Sequence, residues 1–204
     1  AAPIVFEGLR SDVSCSVAVD QTPGFERVVF ERAIDFYRTR SFLLQGDALR
    51  PIDKPDDAAL AFWREHLILG LRSDWELGGR KHASGSLLAC PAAGYLEGAR
   101  ELASVFEPTP TRSLQAWGAT RRQLVLQILD QVSGVLEVCS PPSHSGQAWL
   151  RRRFPTPTQG SLSATALHDP LLAEDPLDEA LLLNYADFLT PDTLMLADAA
   201  SERL

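Results

Sequence analysis

The chain has 204 residues, 45% of them hydrophobic and 23% charged, with a formal net charge of −8 at pH 7. A chain of that length buries roughly 70% of its extended surface without a metal or disulfide staple, and the composition excludes wholesale disorder. Apolar runs such as Ala58 to Trp63 fall far short of the ~20 residues a membrane-spanning helix needs, and the excess of acid opposes broad contact with phosphates.

In chain order, residues 3 to 8 and 12 to 19 read as two strands. In the second, Val13, Cys15, Val17 and Val19 alternate with Ser14, Ser16 and Ala18, the period of a half-buried strand, which directs Cys15 to the core. Thr22-Pro23 is a helix-start signal, and Phe25, Val28, Val29, Ala33, Phe36 and Tyr37 supply helical spacing to about Arg38. Residues 41 to 45 and 48 to 52 form short strands around Gly46-Asp47, a hairpin dipeptide, with Pro51 marking a sheet edge. Asp56-Asp57 opens a second helix to about residue 72, with Leu60, Trp63, Leu67 and Leu71 on one face and His66 at its boundary. A glycine loop, Gly78-Gly79-Arg80-Lys81-His82, a short strand at 86 to 90 and a helix from Tyr95 to Phe106 follow. The longest periodic segment, about Ser113 to Ser133, reads as a helix carrying Leu114, Trp117, Leu124, Ile128 and Val132. Two proline-broken loops, 140 to 146 and 154 to 160, flank Gln147 to Arg153. Asp175-Pro176 and Thr190-Pro191-Asp192 then cap two short helices, about 176 to 189 and 191 to 203.

The fold class expected is therefore α+β and helix-dominated. It comprises a small, partly antiparallel sheet in the N-terminal half packed by three longer helices, and a C-terminal helical pair. Residues 1 to 160 form the main domain, and 169 to 204 an acidic, leucine-rich pair docked on it. That last stretch holds nine carboxylates against the single base Arg203, and ten leucines.

Common signatures for nucleotide, dinucleotide, zinc-protease and serine-hydrolase chemistry are missing from the sequence. Cys90, at the junction of a strand and a helix, is the candidate nucleophile, because a thiol at a helix N-terminus ionises more easily. His82 or His144 would be its base. Cys139 and His144, with His168 or Cys90, have one close-spaced pair where zinc sites use two, so no metal or other cofactor is assigned. His168-Asp169 could orient a proton transfer, although a turn before Pro170 is the plainer reading. Arg151, Arg152 and Arg153, near Trp149 and Phe154, suit docking of the acidic tail or an acidic partner ahead of nucleic acid.

The function expected is a soluble protein that binds other proteins, as an adaptor, chaperone, effector or assembly subunit, with a non-enzymatic role ahead of an enzymatic one. Leu177, Leu181 and Leu194 anchor the partner, and Asp178, Glu179, Asp187 and Asp192 steer toward a basic surface. A cysteine-dependent enzyme centred on Cys90 is the alternative, and nucleic-acid binding through Arg151 to Arg153 ranks third. A homo-oligomer is open. Three widely spaced cysteines and an N-terminal Ala1-Ala2-Pro3 without a charged and apolar leader point to a reducing, cytoplasmic setting with no signal peptide.

Overall fold

Antiparallel strand pairing, rather than helical turns, organises nearly every element of the described residues. The structure, a computed structural model, describes residues 2–144, 147–157 and 160–203. Parts of both proline-broken loops, at 145, 146, 158 and 159, and one of the ten tail leucines, Leu204, lie outside the described residues. The chain divides into two compact units, Ala1–Leu102 and Ala103–Leu204.

The first unit opens with an antiparallel meander of β1 (Ser14–Asp20), β2 (Arg27–Ala33), β3 (Thr39–Gln45) and β4 (Ala48–Pro51), each strand beside the next in sequence. Val29 lies opposite Leu43, and both are buried. On the other face Phe30 lies opposite Phe42, and Phe6 from the N-terminal segment packs at a tilt against both rings, with centroids 4.9 and 5.6 Å away. The turn between β3 and β4 carries Gly46 at φ 58°, the left-handed conformation that glycine adopts without a Cβ penalty.

A hairpin of β5 (Ala59–Trp63) and β6 (His66–Gly70) follows, reversing at Arg64, whose φ is 51°. A small hairpin, β7 (Trp75–Leu77) with β8 (Arg80–His82), turns through Gly78 and Gly79. β9 (Leu87–Pro91) then pairs with β6, so the strands of this second sheet that belong to the unit run β9-β6-β5. Among the described residues there is one short α-helix, α1 (Ala92–Leu96). Val29 and Leu43 share one core with Leu67, Leu69, Leu88, Cys90 and Tyr95. Beside it, Lys54 Nζ donates to the carbonyl oxygens of Thr39 and Ala58, each at 2.9 Å, which ties the loop before β5 to β3.

The second unit holds β10 (Ala103–Phe106) and a four-strand meander of β11 (Arg112–Ala119), β12 (Leu124–Asp130), β13 (Ser133–Ser140) and β14 (Leu150–Arg153). A three-strand sheet of β15 (Ser161–Ala166), β16 (Ala180–Ala186) and β17 (Thr193–Asp198) completes it. Val125, Leu136, Val138 and Phe154 pack with Leu181, Leu183 and Ala197 in one core, so the two sheets bury their faces against each other. A glycine is required where the backbones meet. A Cβ built on Gly160 would lie 2.2 Å from the Ala186 carbonyl oxygen.

These observations correct the α+β, helix-dominated expectation: the described residues are almost wholly antiparallel sheet. Each expected helix resolves into strands. Residues 57 to 72 are the β5/β6 hairpin, reversing at Arg64: Leu60 and Phe62 share a face with their partners Leu69 and Leu67, and Trp63 lies on the other face with His66. Residues 113 to 133 are the β11/β12 hairpin. In β12 both faces are buried, so apolar residues run on without alternation, and periodicity cannot separate such a strand from a buried helix. The helix from Thr22 contains β2, the helix from Tyr95 gives way to β10, and the C-terminal helical pair is β16 and β17. An adaptor built on helix faces is overturned with those helices. Cys15, expected in the core, is exposed on β1. The strand expected at 3 to 8 is irregular chain, whereas those expected at 12 to 19, 41 to 45, 48 to 52 and 86 to 90 coincide closely with β1, β3, β4 and β9.

Because β16 buries Leu181 and Leu183 and leaves Leu182 37% exposed, truncation should follow a period of two. Leu181→Ala and Leu183→Ala should each cost about 2–5 kcal/mol, and Leu182→Ala less than about 1 kcal/mol. Urea denaturation of the three variants checks this; equal losses would contradict the strand.

Candidate functional site

A group of ionisable side chains in the second unit gathers where the turn after β11 meets the segment leading into β16. Asp175 sits at a chain reversal and is committed locally. Its Oδ1 accepts from the Leu177 amide at 2.9 Å and its Oδ2 from the Asp169 amide at 2.8 Å. Those two amides, with His168 assisting, hold its carboxyl below the usual carboxylate range. His168 Nδ1 lies 3.4 Å from Asp175 Oδ2 and 3.2 Å from Asp178 Oδ1. Arg121 closes the group: its Nη1 donates to Asp178 Oδ2 at 2.8 Å and to the Ala173 carbonyl at 2.9 Å.

His168, Asp175 and Asp178 each offer one ligand atom, all within 4.8 Å of one another, so these three residues could hold a cation. The donor set argues otherwise. Both oxygens of Asp175 are occupied by amides, and a cation at Asp178 would have to compete with the Arg121 guanidinium. The arrangement fastens the segment 169 to 178 to the turn at Arg121.

Glu179 extends the group inward. It is buried, Thr120 Oγ1 donates to its Oε2 at 2.5 Å, and Arg122 Nε stands 3.8 Å from Oε1. Burial pushes its carboxyl above the ordinary range, opposed by the Thr120 hydroxyl and by Arg122.

The residues expected to bind a partner are thereby separated. Leu181 and Glu179 are buried, Asp178 is paired, and Asp187 accepts from the Leu189 and Thr190 amides within its own turn at 2.8 and 2.6 Å. Leu177, Asp192 and Leu194 are exposed. Of the three arginines on β14, Arg152 meets Glu202 at 2.5 Å, while Arg151 and Arg153 are exposed. The cysteine candidates do not form a reactive thiol. Cys90 lies within β9, where burial pushes its thiol up to about 12. Cys139 is buried in β13 and is likewise pushed up to about 12, chiefly by burial. His82 is buried on β8 and His144 is exposed. The sequence reading placed His168 and Asp169 in a turn and used Asp175 and Asp178 as a helix cap, without bringing either carboxylate to His168. The available signal was two carboxylates three residues apart beside a proline, a turn-capping pattern that can accept a histidine.

No protein-family model matches the chain, and no curated protein sequence does. Solved structures do. A post-proline cleaving enzyme from Rickettsia typhi is similar over 96% of this chain and 28% of its own, at 20% identity and a TM-score of 0.79. A chain from a structural and mechanistic study of two prolyl endopeptidases is similar over 93% of this chain and 25% of its own, at 12% identity and a TM-score of 0.62. At those identities the likeness is one of fold. The chain spans less than a third of the length of either structure.

Two measurements test the site. With a thiol reagent at neutral pH, Cys15 should react at once, and Cys90 and Cys139 only on unfolding. Fast labelling of Cys90 would restore it as a nucleophile. For Glu179, a raised folded-state pKa means stability is complete below the unfolded value and is lost as pH rises through the folded one. Glu179→Gln should therefore raise Tm at pH 7 relative to the parent, with the gain vanishing as the solution is acidified below the ordinary glutamate range.

Proposed function

We propose that this chain is a non-catalytic β-sheet portion of a longer peptidase that cleaves after proline, with the hydrolytic groups carried elsewhere in that polypeptide. The observation that carries the reading is the similarity over 96% of the chain, at a TM-score of 0.79, to a post-proline cleaving enzyme more than three times as long. The internal architecture agrees with it. Consecutive antiparallel meanders of four strands, as in β1–β4 and β11–β14, are the repeat from which propeller blades are built.

The chemistry of the cysteines supports a scaffold in place of a cysteine enzyme. A thiol held near 12 carries almost no thiolate at neutral pH, so Cys90 is a poor nucleophile. Three unpaired thiols suit a reducing compartment. The described residues contain no helix long and apolar enough to cross a membrane.

The test uses a Gly-Pro coumarin amide as substrate. The longer polypeptide that contains this sequence should release coumarin, and the 204-residue chain alone should not. Failure of the longer polypeptide to cleave after proline would overturn the reading, as would cleavage by the 204-residue chain.

A further inference from the structure

The meander β11–β14 ends in an open edge. On one side β14 pairs with β13, with Arg151 opposite Cys139 and Arg153 opposite Glu137, and on the other no described strand lies. The Phe154 amide continues that register by donating to the Leu136 carbonyl at 2.8 Å. Backbone groups alternate sides along a strand. Arg152 and Leu150 therefore direct their amides and carbonyls to β13, as Phe154 does, and those of Arg151 and Arg153 point out of the sheet.

The side chains obey the same alternation. Arg152 turns to one face and meets Glu202. Arg151 and Arg153 share the other face, are exposed, and enter no ion pair among the described residues. Glu137, the residue opposite Arg153, is taken by Arg112 at 2.6 Å. So the two residues whose backbone groups face the open edge are also the two arginines of β14 left without a carboxylate. Charged residues on an edge strand keep most other strands away, and arginine does so selectively. A second copy pairing its β14 with this one would set arginine against arginine, an unfavourable cross-strand pair, whereas a segment with carboxylates at alternate positions meets attraction. The formal charge of −8 on the whole chain opposes such a segment only weakly, because exposed charges more than about 8 Å apart are largely screened at physiological salt.

We propose that the open edge of β14 captures an extended acidic peptide as an added antiparallel strand, with one carboxylate side chain opposite Arg151 and another opposite Arg153. Each arginine then exchanges both of its backbone hydrogen bonds with the acidic residue facing it. Main-chain bonding supplies the affinity, as in other strand-addition sites, and the guanidinium pair selects the spacing acid-x-acid. The inference does not rest on the peptidase reading: a polypeptide that cleaves nothing would present the same edge, and the test below involves no cleavage.

Fluorescence anisotropy with the 204-residue chain tests it. The probes are a labelled peptide of alternating glutamate and threonine and its glutamine–threonine counterpart. The glutamate peptide should bind about tenfold more tightly at low salt, with the preference shrinking as salt rises. Replacing both arginines together, Arg151→Glu with Arg153→Glu, should turn the preference toward a lysine–threonine peptide, a reversal that a misfolded variant would not show. Methylating the peptide's glutamate amides, which face β14, should weaken binding about tenfold or more, and methylating its threonine amides, which face away, should change it little. Equal binding of the glutamate and glutamine peptides, or binding of neither, would overturn the proposal. So would equal binding of the two methylated peptides, because the contact would then be one of charge without an added strand.

Discussion

The buried faces of the described sheets are built chiefly from side chains two residues apart on one strand and their cross-strand neighbours. Leu181 with Leu183, Leu67 with Leu69, and Val29 opposite Leu43 are such sets, and each becomes useful only when a second face covers it. Burial of apolar surface is the main favourable term in folding. A strand cannot collect it alone, since half its residues point away. Short hairpins stacked face to face are the solution here, and tight reversals at Gly46, Arg64 and the Gly78-Gly79 pair make those hairpins sharp.

The same constraint settles the acidic tail. Its carboxylates are largely consumed inside the protein. Asp175, Asp187 and Asp198 accept backbone amides at turns, Asp178 and Glu202 pair with Arg121 and Arg152, and Glu179 is buried against Thr120. Turns need acceptors for amides that no strand partner satisfies, and aspartate is well suited to supply them. Negative charge accumulates wherever such turns are frequent, so the asymmetry of charge reflects the density of chain reversals before, between and after β16 and β17. On β14, Arg152 pairs with Glu202.

What was legible in the sequence were strands with an alternating pattern or bounded by a recognisable turn. Val17 and Val19 alternate with Ser16 and Ala18 in β1, although both of its faces are exposed, and Gly46 announces the β3/β4 hairpin. What was hidden were strands buried on both faces, such as Leu124 to Ile128, and hairpins whose turns carry ordinary residues. Arg64 adopts a left-handed conformation without being glycine or asparagine, and nothing local advertises it. Apolar residues from both faces of the hairpin, Leu60, Trp63 and Leu67, then fall three or four apart, which counterfeits a helix stripe. Proline was misleading for a related reason: Asp-Pro suits the first turn of a helix and also a tight loop, and here Asp175-Pro176 serves the loop. The site was not legible: His168 reads as part of a turn with Asp169, and its partners Asp175 and Asp178 are brought to it by a reversal that the sequence does not declare.

The central claim, that cross-strand neighbours and not helical turns hold the protein together, is tested most directly by proton–proton contacts in solution. The account predicts contacts between Val125 and Val138 and between Leu182 and Leu196, pairs set opposite each other by the strand register. Contacts running instead from Leu182 to residues three and four positions along the chain, with the cross-strand ones missing, would contradict it.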